Sequence, residues 1–246
     1  GVHTTNETLY LTNDLTGCSE VCSLFLDADY RHGFNGRLLS KSRFLFMREY
    51  PDLFSDKVIA EMRGYSDAQG RSPFWESLGR KFFQMDFSQA DYLSGLGNKS
   101  FVAELMPKYP IYLAFLSDEA QKVVGEVHEN TRPALQMLKS EGFNFNGFVD
   151  IFDAGPIVEC FVRNVRAIRE SSLRYALVAK HAPEAHDDSA FYLVSNCGLE
   201  NFCATLVCAE AVKHDTVALS EETAKHMQVE MGDALRIIPL RYKENG

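Results

Sequence analysis

Seven residues, Arg31-His32-Gly33-Phe34-Asn35-Gly36-Arg37, have the types and spacing to hold a diphosphate. They stand between an apolar run and the start of a helix pattern. A loop so placed turns several backbone N–H groups in one direction, and the helix dipole adds partial positive charge there. Gly33 and Gly36 let the backbone come close to a ligand. Arg31 and Arg37 can add charge-assisted bonds. An ordinary strand-to-helix turn with two glycines fits the same spacing. Neither GxxxxGK[ST] nor GxGxxG occurs in it. The other group suited to proton chemistry is His128, because imidazole exchanges protons near neutral pH. By spacing alone, a histidine ahead of Glu129-Asn130-Thr131 reads as a surface or helix-cap residue. His32, His181, His186, His214 and His226 carry no comparable signal.

The elements that must position these groups follow from pattern. Leu9–Thr12 is a short strand candidate. Val21–Leu26 is nearly continuous in apolar character, which predicts a strand buried on both faces. After Asp27-Ala28-Asp29 and the loop, a helix is expected over about Arg37–Met47. Val58–Met62 reads as the next strand. Ser72 caps a helix opened by Pro73 and running to about Phe83. Phe101–Leu105 reads as a strand stopped by Pro107. Ser117 caps a helix from Asp118 to about Val124, and Thr131-Arg132-Pro133 opens another to Ser140, closed by Gly142. Val149–Phe152 and Ile157–Phe161 are expected as strands around Ala154-Gly155-Pro156.

The texture changes after Arg169. His181–Asp188, with Asp187-Asp188 adjacent, reads as an exposed loop. Phe191–Ser195, Phe202–Cys208 and Leu235–Leu240 are strand-like, Ser220 starts a short helix ending near Met227, and Met231-Gly232-Asp233 is a turn. The expected domains are therefore 1–170 and 171–246, the second a small β-rich, barrel-like module.

Charge and composition narrow the function. With 46% hydrophobic and 24% charged residues, the chain has the make-up of a globular protein. A net charge of −9 argues against a nucleic-acid partner, since phosphate binding wants a basic surface. No apolar stretch reaches the length of a membrane span, and no signal peptide is visible. The six cysteines, Cys18, Cys22, Cys160, Cys197, Cys203 and Cys208, include no CxxC pair. They are expected as reduced thiols in a cytoplasmic protein, with no metal site.

The loop resembles the coenzyme A loop of the GCN5-related N-acetyltransferase superfamily, Q/R-x-x-G-x-G/A, with Arg31 first, Gly36 last and Phe34 where a glycine is common. The longer likeness is to arginine N-succinyltransferases. It is carried by Thr12–Gly17, Ser19–Asp27, Asn35–Phe44, Ala60–Gly64, Ser72–Trp75, Met85–Phe87, Ala90–Tyr92, Phe101–Pro107, Gly125–His128 and Val149–Asp153. It runs from the first ten residues to about Arg169 and continues weakly in the tail at Gly232-Asp233. Members of that family carry roughly a hundred further residues at the N-terminus, with the first strands of the sheet. This chain opens at Gly1-Val2-His3 without them, so a processed or partial chain is expected.

The resemblance implies an α/β (α+β) fold, an acyl-CoA N-acyltransferase-like mixed sheet flanked by helices. It implies a reaction of succinyl-CoA with L-arginine, succinyl-CoA being a co-substrate and no cofactor being needed. It assigns His128 as proton donor, although the residues alone leave donor and acceptor roles both open. It assigns succinyl-CoA binding to Leu24, Arg31, Gly33, Asn35, Gly36 and Arg37, the Leu24 N–H lying near the thioester oxygen; a plain core leucine is the other reading of that position. For the arginine guanidinium, Glu61, Glu104, Asp150 and Asp153 are possible partners, and for the succinyl carboxylate Arg63 or Arg71. For each of these six a solvated or structurally paired charge is the preferred reading, and none is assigned. A homodimer, or a heteromer with a related subunit, is expected. The alternative reading is a non-catalytic or partner subunit of a heteromeric arginine/ornithine succinyltransferase.

Overall fold

The computed structural model describes residues 3–95, 106, 108–186 and 189–240. The strand expected over Phe101–Leu105, the candidate Glu104 and the Asp187-Asp188 pair lie outside them. The chain gathers into two compact units, each assembled from separated stretches. One comprises Gly1–Cys22, Val58–Lys139 and Phe143–Cys160. The other comprises Ser23–Lys57, Ser140–Gly142 and Phe161–Gly246.

In the first unit, β1 (Thr8–Leu9) pairs antiparallel with β4 (Ile111–Tyr112). A four-stranded mixed sheet runs in the order β2-β3-β6-β5, formed by β2 (Ser19–Glu20), β3 (Lys57–Glu61), β5 (Asn144–Val149) and β6 (Pro156–Phe161). β3 is central, and its Val58-Ile59-Ala60 run is buried, as an apolar run covered on both faces should be. The β5–β6 hairpin turns earlier than its sequence suggests. The strand stops at Val149, because the Asp150 carboxylate accepts the N–H groups of Phe152 (2.7 Å) and Asp153 (3.1 Å) and folds the chain into a turn. Gly155 belongs there for lack of space: a Cβ would lie 2.1 Å from the Met62 carbonyl oxygen.

The capped helices of this unit form where their local chemistry places them. Ser72 Oγ accepts the Trp75 N–H at 3.2 Å, and Ser117 accepts that of Ala120 at 3.3 Å ahead of the helix Asp118–Val123. After Pro73 the helix widens into a π turn over Trp75–Gly79. The Trp75 ring lies where a Cβ on Gly79 would be, 2.2 Å from the nearest ring atom, and stacks on Phe83 at 5.5 Å. The helix Arg132–Ser140 follows, and Gly142 beyond it takes φ +101°.

The second unit holds a five-stranded sheet in the order β10-β7-β11-β8-β9. Its strands are β7 (Ser172–Ala179), β8 (Phe191–Asn196), β9 (Ala204–Cys208), β10 (Thr216–Ser220) and β11 (Ala234–Pro239). β10 runs parallel to β7, and the other pairs are antiparallel. Ser220 accepts the Thr223 N–H at 3.1 Å and caps the helix Glu221–Met227, whose Ala224 and Met227 join Val217, Leu219, Leu235 and Ile237 in the core.

Helix α1 (Asn35–Glu49) packs against β8, β9 and the helix Arg166–Glu170. Phe46 meets Phe202 edge-on at 5.1 Å, the Tyr50 hydroxyl donates to the Cys197 carbonyl at 2.6 Å, and Glu49 pairs with Arg236. Buried Lys41 pairs with buried Glu141, which also accepts from Arg166 (2.8 Å) and from the Ala167 N–H (2.7 Å). Among the described residues no helix is long and apolar enough to cross a membrane.

Candidate functional site

The expected buried strand over Val21–Leu26 is not what the chain forms. The ladder to β3 is two residues long, Ser19 opposite Val58 and Glu20 opposite Ile59, with one further bond from the Val21 N–H to the Ile59 carbonyl at 2.9 Å. Ser23 then takes φ +53°, in the left-handed region, which ends the extended run. Leu24 is 41% and Phe25 73% exposed, so Leu24 is not a core leucine. Apolar side chains favour burial, but a strand also needs a backbone partner, and pairing with β3 stops at Val21. Among the described residues no acceptor takes the Leu24 N–H.

The loop that follows is tied to itself. Asp27 caps a 3-10 turn, Ala28–Tyr30, by accepting the Asp29 N–H at 3.0 Å. Arg31 Nε donates to the Leu26 carbonyl at 2.9 Å, and Asn35 Nδ2 to the Tyr30 carbonyl at 3.0 Å. Two of the expected ligand contacts thus also hold the loop's shape, a role that no spacing rule signalled. Arg31 lies over the Phe25 ring at 5.8 Å and Arg37 over the Phe34 ring at 5.6 Å. Gly33 has φ +55°, a conformation that suits glycine.

α1 begins here without a side-chain cap, since Phe34 in the N-cap position has no oxygen to offer. The Leu38 N–H bonds the Phe34 carbonyl at 2.9 Å, and that of Asn35 reaches His32 at 3.4 Å. Among the described residues the N–H groups of Gly33, Gly36 and Arg37 meet no acceptor. The result is a basic, glycine-bearing helix start with its donors open, the arrangement that binds phosphate groups.

His128 belongs to the other unit. It precedes the 3-10 turn Glu129–Thr131, its Nδ1 accepts the Asn130 N–H at 3.2 Å, and its own N–H donates to the Arg63 carbonyl at 2.9 Å. The cap role that spacing suggested is therefore real. It also fixes the tautomer: with Nδ1 accepting, the neutral ring carries its hydrogen on Nε2. The residue is half-buried.

Of the carboxylates considered for a guanidinium, Asp153 is occupied, accepting the N–H groups of Gly64 (2.7 Å) and Gly155 (2.8 Å). Asp150 lines an apolar cavity with Leu9, Phe74, Leu78 and Ile111, and burial, with Asp153 beside it, pushes its carboxyl up to about 7. Burial next to Glu49 raises the Cys197 thiol to about 11, which leaves it protonated and unreactive.

The fold and the sequence have known counterparts. The solved structure of arginine/ornithine succinyltransferase subunit AI from Pseudomonas aeruginosa matches with a TM-score of 0.85 at 33% identity, over 98% of this chain and 68% of that one. Arginine N-succinyltransferase subunit beta of Pseudomonas aeruginosa is 54% identical over 245 residues, covering 100% of this chain and 71% of the relative. Arginine N-succinyltransferase of Yersinia pseudotuberculosis is 50% identical over 236 residues, 95% of this chain and 67% of the relative. The family model for the arginine N-succinyltransferase beta subunit matches residues 1–167, and the model for its C-terminal domain matches 174–239. The chain belongs to the arginine N-succinyltransferase beta subunit family, and it is an acyltransferase.

Proposed function

We propose that this chain transfers the succinyl group of succinyl-CoA to the α-amino group of L-arginine. The observation that carries the reading is the uncapped start of α1, with the Gly36 and Arg37 N–H groups open, in a member of this family. Those amides, with Gly33, Asn35 and the guanidinium groups of Arg31 and Arg37, bind the coenzyme's diphosphate. The unpaired N–H of Leu24 serves the thioester end. The amine attacks the thioester carbon, a C–N bond forms and the C–S bond breaks. The proton that leaves nitrogen passes to solvent, and solvent supplies the proton that makes His128 an imidazolium and later resets its ring, so the sulfur gains what the nitrogen loses and no proton is gained or lost overall. His128 supplies the sulfur's proton from Nε2; the imidazolium that delivers it carries its second hydrogen on Nδ1 and gives up the Asn130 bond while it lasts. Succinyl-CoA is a co-substrate, and no bound cofactor takes part.

Substituting His128→Ala tests this. Turnover is expected to fall roughly 10²–10⁴-fold with CoA affinity nearly kept. Unchanged turnover removes His128 from the mechanism. A wild-type chain that binds CoA and turns over nothing is the non-catalytic subunit of the alternative reading. The relatives' names speak of subunits, which supports a homodimer or a heteromer with a related chain; sedimentation of the purified protein reads the mass directly. Six free cysteines suit the reducing cytoplasm.

A further inference from the structure

Arg63 and His128 stand opposite one another on a short ladder. Gly64 and Val127 form an antiparallel bridge, and the His128 N–H donates to the Arg63 carbonyl at 2.9 Å. One step from the bridge, residues 63 and 128 are directly opposed. Directly opposed residues of an antiparallel pair send their side chains to the same face, with Cβ atoms about 5 Å apart. Burial identifies that face. Met62, Gly64 and Ser66 are buried together with Val127, while Glu61, Arg63 and Tyr65 are exposed. Arg63 and His128 therefore share the outward face, side by side.

Arg63 is also available. Among the described residues no carboxylate pairs with it, and its Nη2 makes a single bond to Ser66 Oγ at 3.1 Å. The rest of its donor fork stays open. Arg71, the other arginine considered for an acyl carboxylate, is closed on Asp67 through Nε (3.0 Å) and Nη2 (2.9 Å).

We propose that Arg63 binds the free carboxylate of a dicarboxylic acyl group and so holds the thioester carbonyl of that group at His128. It is the residue that makes the enzyme prefer a succinyl donor to a plain acyl donor, an assignment that rests on the succinyl-transfer reading above. The guanidinium fork matches a carboxylate in two parallel hydrogen bonds. Two methylenes separate the succinyl carboxylate from its thioester carbonyl, a span that two neighbouring side chains on one ladder can bracket.

The test compares succinyl-CoA with butyryl-CoA, which keeps the chain length and replaces the carboxylate by a methyl group. For Arg63→Gln, kcat/KM with succinyl-CoA is expected to fall by roughly 100-fold while that with butyryl-CoA changes by less than about threefold. Arg63→Lys keeps the charge but not the fork and falls between. An unchanged donor ratio in Arg63→Gln, in a protein whose wild type uses succinyl-CoA, overturns the assignment of Arg63 alone. A wild-type chain that turns over neither donor overturns the transferase reading and the role of Arg63 with it.

Discussion

Asp150 sits where two costs meet: burial disfavours its charge, and Asp153 repels it. Its carboxyl titrates at about 7 in the fold against an ordinary 3.8. Between those values the folded chain holds a proton that the unfolded chain releases. This residue's contribution is therefore complete below the ordinary value and is lost as pH rises through about 7. Asp150→Asn keeps an oxygen for the N–H groups of Phe152 and Asp153 and removes the charge. Its melting temperature relative to wild type should rise between pH 5 and pH 8, and a difference that does not change with pH refutes the burial account. None of this was legible in the sequence, which placed Asp150 on a strand. A carboxylate's setting depends on what packs over it, whereas the left-handed backbone at Gly33, φ +55°, is one that its residue type suits.

At the scale of elements, what was legible was local. Ser72, Ser117 and Ser220 each cap the helix that their position indicated, because a cap is settled within four residues. The strand over Val21–Leu26 was misread because a strand needs a partner that may lie anywhere in the chain, and the π turn at Trp75 answers to a ring packing over Gly79. Against the three capped helices, the bare start of α1 stands out. Nothing in the fold demands glycine at position 36, where a Cβ would meet only Leu26 Cδ2 at an ordinary 3.8 Å. Gly36→Ala should leave the melting temperature unchanged or raise it, by up to about 1 kcal/mol of helix propensity. On the proposed reading that methyl group crowds a phosphate held at the open amides, so titration calorimetry should find CoA binding weakened by roughly tenfold or more. Unaltered CoA affinity would sink the loop assignment while sparing that of His128.

At the scale of the molecule, both compact units are stitched from separated stretches, and Glu141 shows what such stitching requires. It is 1% exposed and holds Lys41 of α1 and Arg166 of a helix far along the chain. Burial alone would raise its carboxyl, yet the two cations outweigh that and keep it below the usual range. Glu141→Gln leaves buried Lys41 without its counter-charge and Arg166 with Glu170 (3.3 Å) in place of two carboxylates, and urea unfolding should register a loss of about 3–5 kcal/mol. A loss within experimental scatter would mean that Lys41 finds water or another partner. No pattern singled out this glutamate, since its partners are brought together only by the fold. The order of synthesis adds a constraint. α1 is synthesised well before β8 and β9, on which it rests. The helix that carries the open amides therefore has no firm seat until those strands follow, and the nascent chain has to keep an amphipathic helix in solution meanwhile.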